Sequence, residues 1–190
     1  MCGIHGIFNF DGQRVVPDTL SAMAKVTRHR GPDDEGMHIG ADCGIAMRRL
    51  SIIDLAGGHQ PLSNVEQTLW LVCNGEIYNY RELRAELQAK GYRFKTGSDS
   101  EVLLHLYHAE GDAFVQRLNG IFDFALWDAP RRRLLIGRDR LGVKPLYVLQ
   151  DRPCALGSKS CAGDGPGALR YGVARGLRIP VPSFFTGRQP

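Results

Sequence analysis

Two blocks of strand-patterned sequence bracket a pair of helical patterns, and that order limits the fold more than any other feature. In the first block, residues 4–10, 36–39, 44–53 and 68–74 carry apolar residues at strand length. One helical pattern interrupts them, with Asp18 as its cap and Leu20, Met23 and Val26 on one face, ending near Arg28-His29-Arg30. Gly31-Pro32-Asp33-Asp34 follows as a turn, because Pro presets φ and Asp bonds its own backbone. In the middle of the chain, Asn79 and Glu82 have capping-box spacing ahead of the stripe Leu83 and Leu87. A second stripe, Val102, Leu103, Leu106 and Tyr107, opens at Asp99 or Ser100. Residues 121–127, 134–137 and 145–149 then read as paired strands joined by tight turns. Strands, helices and strands again is the pattern of an α+β domain with antiparallel sheets, not of a βαβ repeat.

The chain of 190 residues suits one domain with a substantial core. The apolar run 121–127 is broken by Asp123 and is far too short to span a bilayer. No apolar stretch of signal-peptide type follows Met1, so a cytoplasmic location is the expectation. Five scattered cysteines form no Cys-x-x-Cys pair, which fits a reducing compartment and no zinc site. Cys43 and Cys73 lie in apolar stretches and read as small core residues. The net charge of +4 resides in residues 157–190, which hold five bases against the single acid Asp164. The remainder is electrically balanced, so no basic face for nucleic acid is expected there.

Cys2 stands where initiator-Met removal would expose it. A terminal cysteine carries both a nucleophile and a base, since a thiol titrates near about 8.5 and an α-amine near about 7.7–8.0. It is the cysteine counterpart of the N-terminal threonine arrangement, and Gly3 beside it leaves room for a substrate. Asn74-Gly75 offers a side-chain NH2 next to a backbone N–H, a two-donor pocket for an oxyanion, or else an ordinary Asn-Gly hairpin turn. Arg48 and Arg49 point to opposite strand faces, so only one can hold a carboxylate in a pocket. Asp99 can cap its helix or grip an ammonium group. His29 invites a triad, but this chemistry needs no imidazole, and holding the 28–33 loop is its expected work. His105 and His108 lack a carboxylate cluster in register for a metal.

These segments resemble one family. The run Met1-Cys2-Gly3-Ile4, Arg28-His29-Arg30-Gly31-Pro32-Asp33, Arg49-Leu50-Ser51-Ile52-Ile53-Asp54 and Gln60-Pro61-Leu62 is similar to the amidotransferase domain of glutamine-hydrolysing asparagine synthetases. Cys73-Asn74-Gly75-Glu76-Ile77-Tyr78-Asn79, Thr96-Gly97-Ser98-Asp99-Ser100-Glu101, Gly137-Arg138-Asp139 and Leu141-Gly142-Val143-Lys144-Pro145-Leu146-Tyr147 continue it, in order, over residues 1–158. The resemblance implies a class II glutamine amidotransferase with the N-terminal-nucleophile hydrolase fold, an αββα sandwich of two stacked antiparallel sheets flanked by helices. It implies glutamine as substrate and Cys2 as nucleophile, with Asn74 and Gly75 holding the oxyanion. It further implies Arg49 on the substrate α-carboxylate, Glu76 and Asp99 on the ammonium, and backbone around Leu50, Ile52 and Ile53 lining the pocket.

Members of this family carry a second domain with a Ser-Gly-Gly-x-Asp-Ser phosphate loop. No such segment occurs here, and Gly57-Gly58 lacks the accompanying serines and aspartate. The implied cofactors of this chain are therefore none, with ATP and magnesium belonging to that other domain, and a synthetase domain or subunit would be the partner accepting ammonia. From Gly157 onward there are seven glycines and four prolines and no glutamate, so residues 159–190 read as a divergent, poorly ordered tail. That change of composition motivates a second reading, a shifted frame or truncated gene from about Lys159, leaving a remnant that keeps the fold without turnover. The coding DNA is then expected to hold synthetase-domain sequence in another frame downstream; an intact context without one contradicts the frameshift.

Overall fold

The computed structural model describes residues 2–51, 54, 57–150 and 154–157. It contains β1 (Gly3–Phe8), α1 (Pro17–Val26), β2 (Asp34–Ile39), β3 (Cys43–Arg49), β4 (Leu62–Ser63) and β5 (Leu69–Ile77). There follow α2 (Tyr80–Ala89), α3 (Glu101–Glu110), a 3₁₀ segment (Gly111–Arg117), β6 (Gly120–Asp128), β7 (Arg133–Arg138), β8 (Tyr147–Gln150) and β9 (Cys154–Gly157). The strands form two antiparallel sheets, ordered β2-β3-β1-β9-β8 and β4-β5-β6-β7.

Side-chain alternation builds three apolar layers from these sheets. Leu71 and Cys73 of β5, with Phe122, Phe124 and Leu126 of β6, meet Leu83 and Leu87 of α2 and Val102, Leu103 and Leu106 of α3. The opposite face of the same sheet presents Val72, Ala125 and Trp127 to Ile4, Phe8, Ile45 and Met47 of the first sheet. The outer face of that first sheet packs Ile7 and Ala46 under Leu20 and Ala24 of α1. Helix, sheet, sheet and helices is the expected αββα sandwich, and both faces of each central strand are buried. Cys43 and Cys73 lie in these layers, neither of them in a disulfide.

The two stripes 83/87 and 102–107 face the core as read, but the helix starts differ. Helix α1 begins at Pro17 behind an extended Val16 with no side-chain cap. Proline needs no donor at that position, so Asp18 falls inside the first turn, where the helix dipole favours it. Val26, expected to be buried, is exposed, and Ala24 takes the inward position. Asn79 precedes α2 without capping it. Its carboxamide instead donates to Arg117 O at 2.9 Å and accepts from Asn119 N at 3.0 Å, tying the end of the 3₁₀ segment to the start of α2. Neither Asp99 nor Ser100 makes a side-chain cap for α3.

Strand assignments need three corrections. The 44–53 run ends as strand at Arg49, and β5 runs on through Asn74 to Ile77. The 145–149 segment does not pair with β7 in one meander; as β8 it crosses to the first sheet and pairs with β9. β4, β9 and the 3₁₀ segment were not foreseen, being too short for a periodic signal. The proposed tail, 159–190, lies outside the described residues.

Phe124 is fully buried, rings against Phe114 at 5.7 Å and Phe122 at 6.2 Å, and sits where a side chain at Gly137 would collide with it. Phe124→Ala is expected to lower stability by about 3–5 kcal/mol in urea unfolding; a loss under about 1 kcal/mol contradicts this packing.

Candidate functional site

Cys2 precedes β1 at the edge of the inter-sheet layer, half-buried. Strand β1 pairs with β3 with Gly3 opposite Arg48, which carries Leu50 up beside Cys2. The Leu50 N–H points at the Cys2 sulfur at 3.3 Å, and the thiol reaches Leu50 O at 3.5 Å. Arg30 Nε donates to Cys2 O at 3.0 Å. Cys2 is thereby held through both its backbone and its sulfur. Gly3 does not leave space for a substrate: a Cβ there would stand 2.9 Å from Thr27 Oγ1. Its small size admits Thr27, which His5 Nε2 meets at 2.7 Å.

Asn74 and Gly75 are not a hairpin turn. They lie within β5, opposite Asp123 and Phe122 of β6. Gly75 has φ +142°, a conformation that side chains rarely adopt, and a Cβ there would overlap Ile121 O. A left-handed glycine in mid-strand turns the local backbone out of the regular pleat. Asn74 shares a strand face with Val72 and so points into the inter-sheet layer, with its Nδ2 buried and without a hydrogen-bond partner.

The two arginines separate as alternation requires. Arg48 donates to Gly31 O at 3.0 Å and pairs with Glu35, which commits it to the fold. Arg49 donates to Asp54 O at 2.8 Å. The Asp54 carboxylate in turn accepts from Gly57 N at 2.9 Å and Gly97 N at 2.7 Å. The loop after β3 is thus tied to the segment that leads into Asp99. Glu101, buried behind that segment, accepts from Lys95 N, Thr96 N and Thr96 Oγ1 at 2.6–2.8 Å. Burial alone would raise its pKa, but the hydrogen bonds from His105, Thr96 and the backbone hold it down at about 2.

Asp99 accepts the Ile77 N–H at 2.7 Å, and burial pushes its carboxyl above the ordinary range against that bond. It shares a groove of about 420 Å³ with Glu76, Ile77, Tyr78 and Tyr80. Cys2, Asn74 and Arg49 do not line that groove. Ile52 and Ile53 lie outside the described residues. His29 is exposed, and the loop it was expected to hold is pinned by other groups: Arg30 on Cys2 O, Arg48 on Gly31 O, and Asp33 on Ser51 N at 2.9 Å. Among the described residues no group of three or more His, Cys, Asp or Glu side chains is placed to hold a metal.

The family model for a glutamine amidotransferase domain matches residues 1–162. The chain is 45% identical over 153 residues to the glutamine-hydrolyzing asparagine synthetase 2 of Bacillus subtilis (strain 168), covering 79% of this chain and 20% of that protein. It is 44% identical over 152 residues to the glutamine-hydrolyzing asparagine synthetase B of Escherichia coli (strain K12), covering 80% and 27%. The chain therefore spans only about a fifth to a quarter of the length of the curated relatives it matches. Two solved structures share the fold. An allosteric regulatory enzyme of purine biosynthesis gives a TM-score of 0.69 at 21% identity, over 83% of this chain and 42% of that one. A glutamine phosphoribosylpyrophosphate amidotransferase from B. subtilis gives 0.65 at 20%, over 82% and 41%.

Sequence reading passed over Asp123, Arg30 and His5. Asp123 sits in a run apolar at every other position, 0% exposed, and a lone charge in a strand covered on both faces was the available signal. Burial lifts its pKa to about 7, with Asn74, Arg30 and Lys144 pulling it back. His5 is lowered to about 4, first by burial and then by Arg30 and Arg48. These two groups bend stability in opposite directions. Unfolded His5 titrates near 6.5, so between pH 6.5 and 4 the unfolded chain binds the extra proton and stability is lost as pH falls. Unfolded Asp123 ionises near 3.8 while the folded carboxyl keeps its proton to about 7, so here stability is lost as pH rises. Each slope is at most about 1.4 kcal/mol per pH unit. In urea unfolding from pH 4 to 6.5, Asp123→Asn is expected to tilt the stability curve upward with pH relative to wild type, and His5→Leu to tilt it downward. Three parallel curves contradict these protonation states.

Proposed function

This chain belongs to the glutamine amidotransferase domain family, and from that footing we propose that it hydrolyses the side-chain amide of glutamine with Cys2 as nucleophile. The observation that carries the reading is the fixing of Cys2 at the mouth of the inter-sheet layer, its sulfur on the Leu50 amide and its carbonyl on Arg30. Arg30 also acts electrostatically on Asp123, the strand partner of Asn74, so nucleophile and oxyanion donor belong to one neighbourhood.

Once Met1 is removed, the Cys2 α-amine takes the thiol proton, directly or through one water. The thiolate attacks the amide carbon of glutamine. Asn74 Nδ2 and the Gly75 N–H receive the developing oxyanion, and the protonated amine delivers its proton to the departing nitrogen. Ammonia leaves and a γ-glutamyl thioester remains. The amine then deprotonates a water that attacks the thioester, and glutamate and the free thiol are restored. No imidazole enters this cycle. Arg49 pairs with the substrate α-carboxylate as a fork of two N–H donors. Asp99 and Glu76 take the α-ammonium, and backbone around Leu50, Ile52 and Ile53 lines the pocket.

The ammonia is passed to an acceptor outside residues 1–158, as the similarity to glutamine-hydrolyzing asparagine synthetases suggests. ATP and magnesium belong with that acceptor. Cys2, Cys43 and Cys73, none of them in a disulfide, fit a reducing, cytoplasmic setting. No helix among the described residues is long and apolar enough to cross a membrane.

Purified protein whose intact mass shows loss of Met1 is expected to release glutamate and ammonia from glutamine. Cys2→Ala should abolish release, and Asn74→Ala should lower kcat by about 10²–10³-fold. Folded, processed protein that leaves glutamine intact would support the non-catalytic remnant instead.

A further inference from the structure

Alternation along β6 places Phe122, Phe124 and Leu126 on the helix side of the sheet and Ala125 and Trp127 in the inter-sheet layer. Asp123 has the parity of the latter pair. It stands in antiparallel register with Asn74, which reaches the same layer from β5. Asp123 is 0% and Asn74 1% exposed. By strict geometry both carboxylate oxygens of Asp123, Nδ2 of Asn74 and both terminal nitrogens of Arg30 are buried without a hydrogen-bond partner. Yet Asn74 already acts on Asp123 as a side-chain hydrogen-bond donor and Arg30 as a nearby positive charge, so the Asn74–Asp123 contact is present but loose. Two of these groups only donate through those atoms and the third only accepts when ionised. Buried polar groups are almost always paired, so two complementary ones in register, with a positive charge acting on the acceptor, mark a contact that tightens when the carboxyl ionises.

The cluster reaches the nucleophile. Arg30, whose charge acts on Asp123, grips Cys2 O through Nε at 3.0 Å. We propose that Asp123 is a positioning residue for glutamine hydrolysis, its carboxylate accepting from Asn74 and Arg30 so that oxyanion donor and nucleophile backbone are held as one unit. This rests on the reading of Cys2 and Asn74 given above. An oxyanion donor is effective when its direction is set before the charge develops. A carboxamide in an apolar layer has a soft terminal torsion. Asp123 fixes it by taking one N–H and leaves the other for the substrate oxygen. No bond to substrate is assigned to Asp123 itself.

The device depends on the charge of Asp123. The ionisable groups acting on it are Arg30 from the segment after α1 and Lys144 from the loop between β7 and β8, and on the other face of the sheet the buried Cys73 thiol of β5 is raised in part by Asp123. Burial holds the carboxyl protonated up to about pH 7, while Asn74, Arg30 and Lys144 favour the ionised form. Below that pH the acceptor is neutral and its grip on the amide weakens.

The test follows the Asn74 side-chain NH2 signal by NMR in the full chain, assigned by its loss in Asn74→Ala. In wild type it should shift with a midpoint near pH 7, and in Asp123→Asn it should stay still. Asp123→Asn should lower kcat for glutamine at least tenfold with KM within twofold. It should add nothing to the loss caused by Asn74→Ala, as expected for residues acting as a unit, and Cys2 should alkylate with iodoacetamide at the wild-type rate. An Asn74 signal indifferent to pH in wild type, a kcat within twofold, or losses that multiply would each overturn the proposal. The wild-type titration needs no folded Asp123 variant. If wild-type protein does not hydrolyse glutamine, the reading of the active site fails, and the titration still decides whether Asp123 holds Asn74.

Discussion

The register that sets Gly3 opposite Arg48 governs everything built at this end of the molecule. Because side chains alternate strictly along a strand, a slip of one residue would send Arg48 and Arg49 to each other's faces. It would also remove Leu50 from the Cys2 sulfur. The register is held from both sides, since β1 is paired with β3 and with β9, and from above, since Ile7 and Ala46 pack under α1. Gly3 adds a steric condition, for only a residue without a side chain lets Thr27 close over the strand. The position of Cys2 is therefore a property of the sheet and not of a flexible terminus.

Around that fixed point the polar residues divide their work. Arg48 and Glu35, Asp54 with Gly57 and Gly97, and Glu101 with residues 95 and 96 all close loops. They hold the segments from which Arg49 and Asp99 project. Arg30 crosses between these roles, anchoring Cys2 while facing the buried Asp123. A carboxylate in the layer between two sheets is unfavourable for stability unless it is neutral or paired, and Asp123 stands there in register with Asn74, the proposed oxyanion donor.

The α+β class and the inward stripes of α2 and α3 were legible because they rest on periodicity, which the core enforces. Cys2 stood out in the sequence because a terminal cysteine carries its own base, while Asn74-Gly75 read as either a donor pair or a turn and the choice of Arg49 over Arg48 came only from the family resemblance. What failed were inferences that depend on long-range partners. Asn79 has the sequence of a capping residue, yet its carboxamide finds Arg117 and Asn119 some forty residues away. The 145–149 segment follows β7 closely but pairs in the other sheet, with a strand too short to announce itself. Asn-Gly reads as a turn, and only the full sheet shows that Gly75 is needed in mid-strand, against Ile121. Asp123 was visible merely as an interruption, since nothing in one strand reveals which groups its neighbours bring.

The proposed hydrolysis turns on covalent chemistry at one sulfur. Protein mixed with glutamine and quenched in acid within the first turnover can be digested and its cysteine peptides weighed. A γ-glutamyl group is expected on the N-terminal peptide at Cys2, with none on the peptides of Cys43 and Cys73. Glutamine consumed with no adduct at Cys2, or an adduct on another cysteine, would contradict the assignment of Cys2 as the nucleophile.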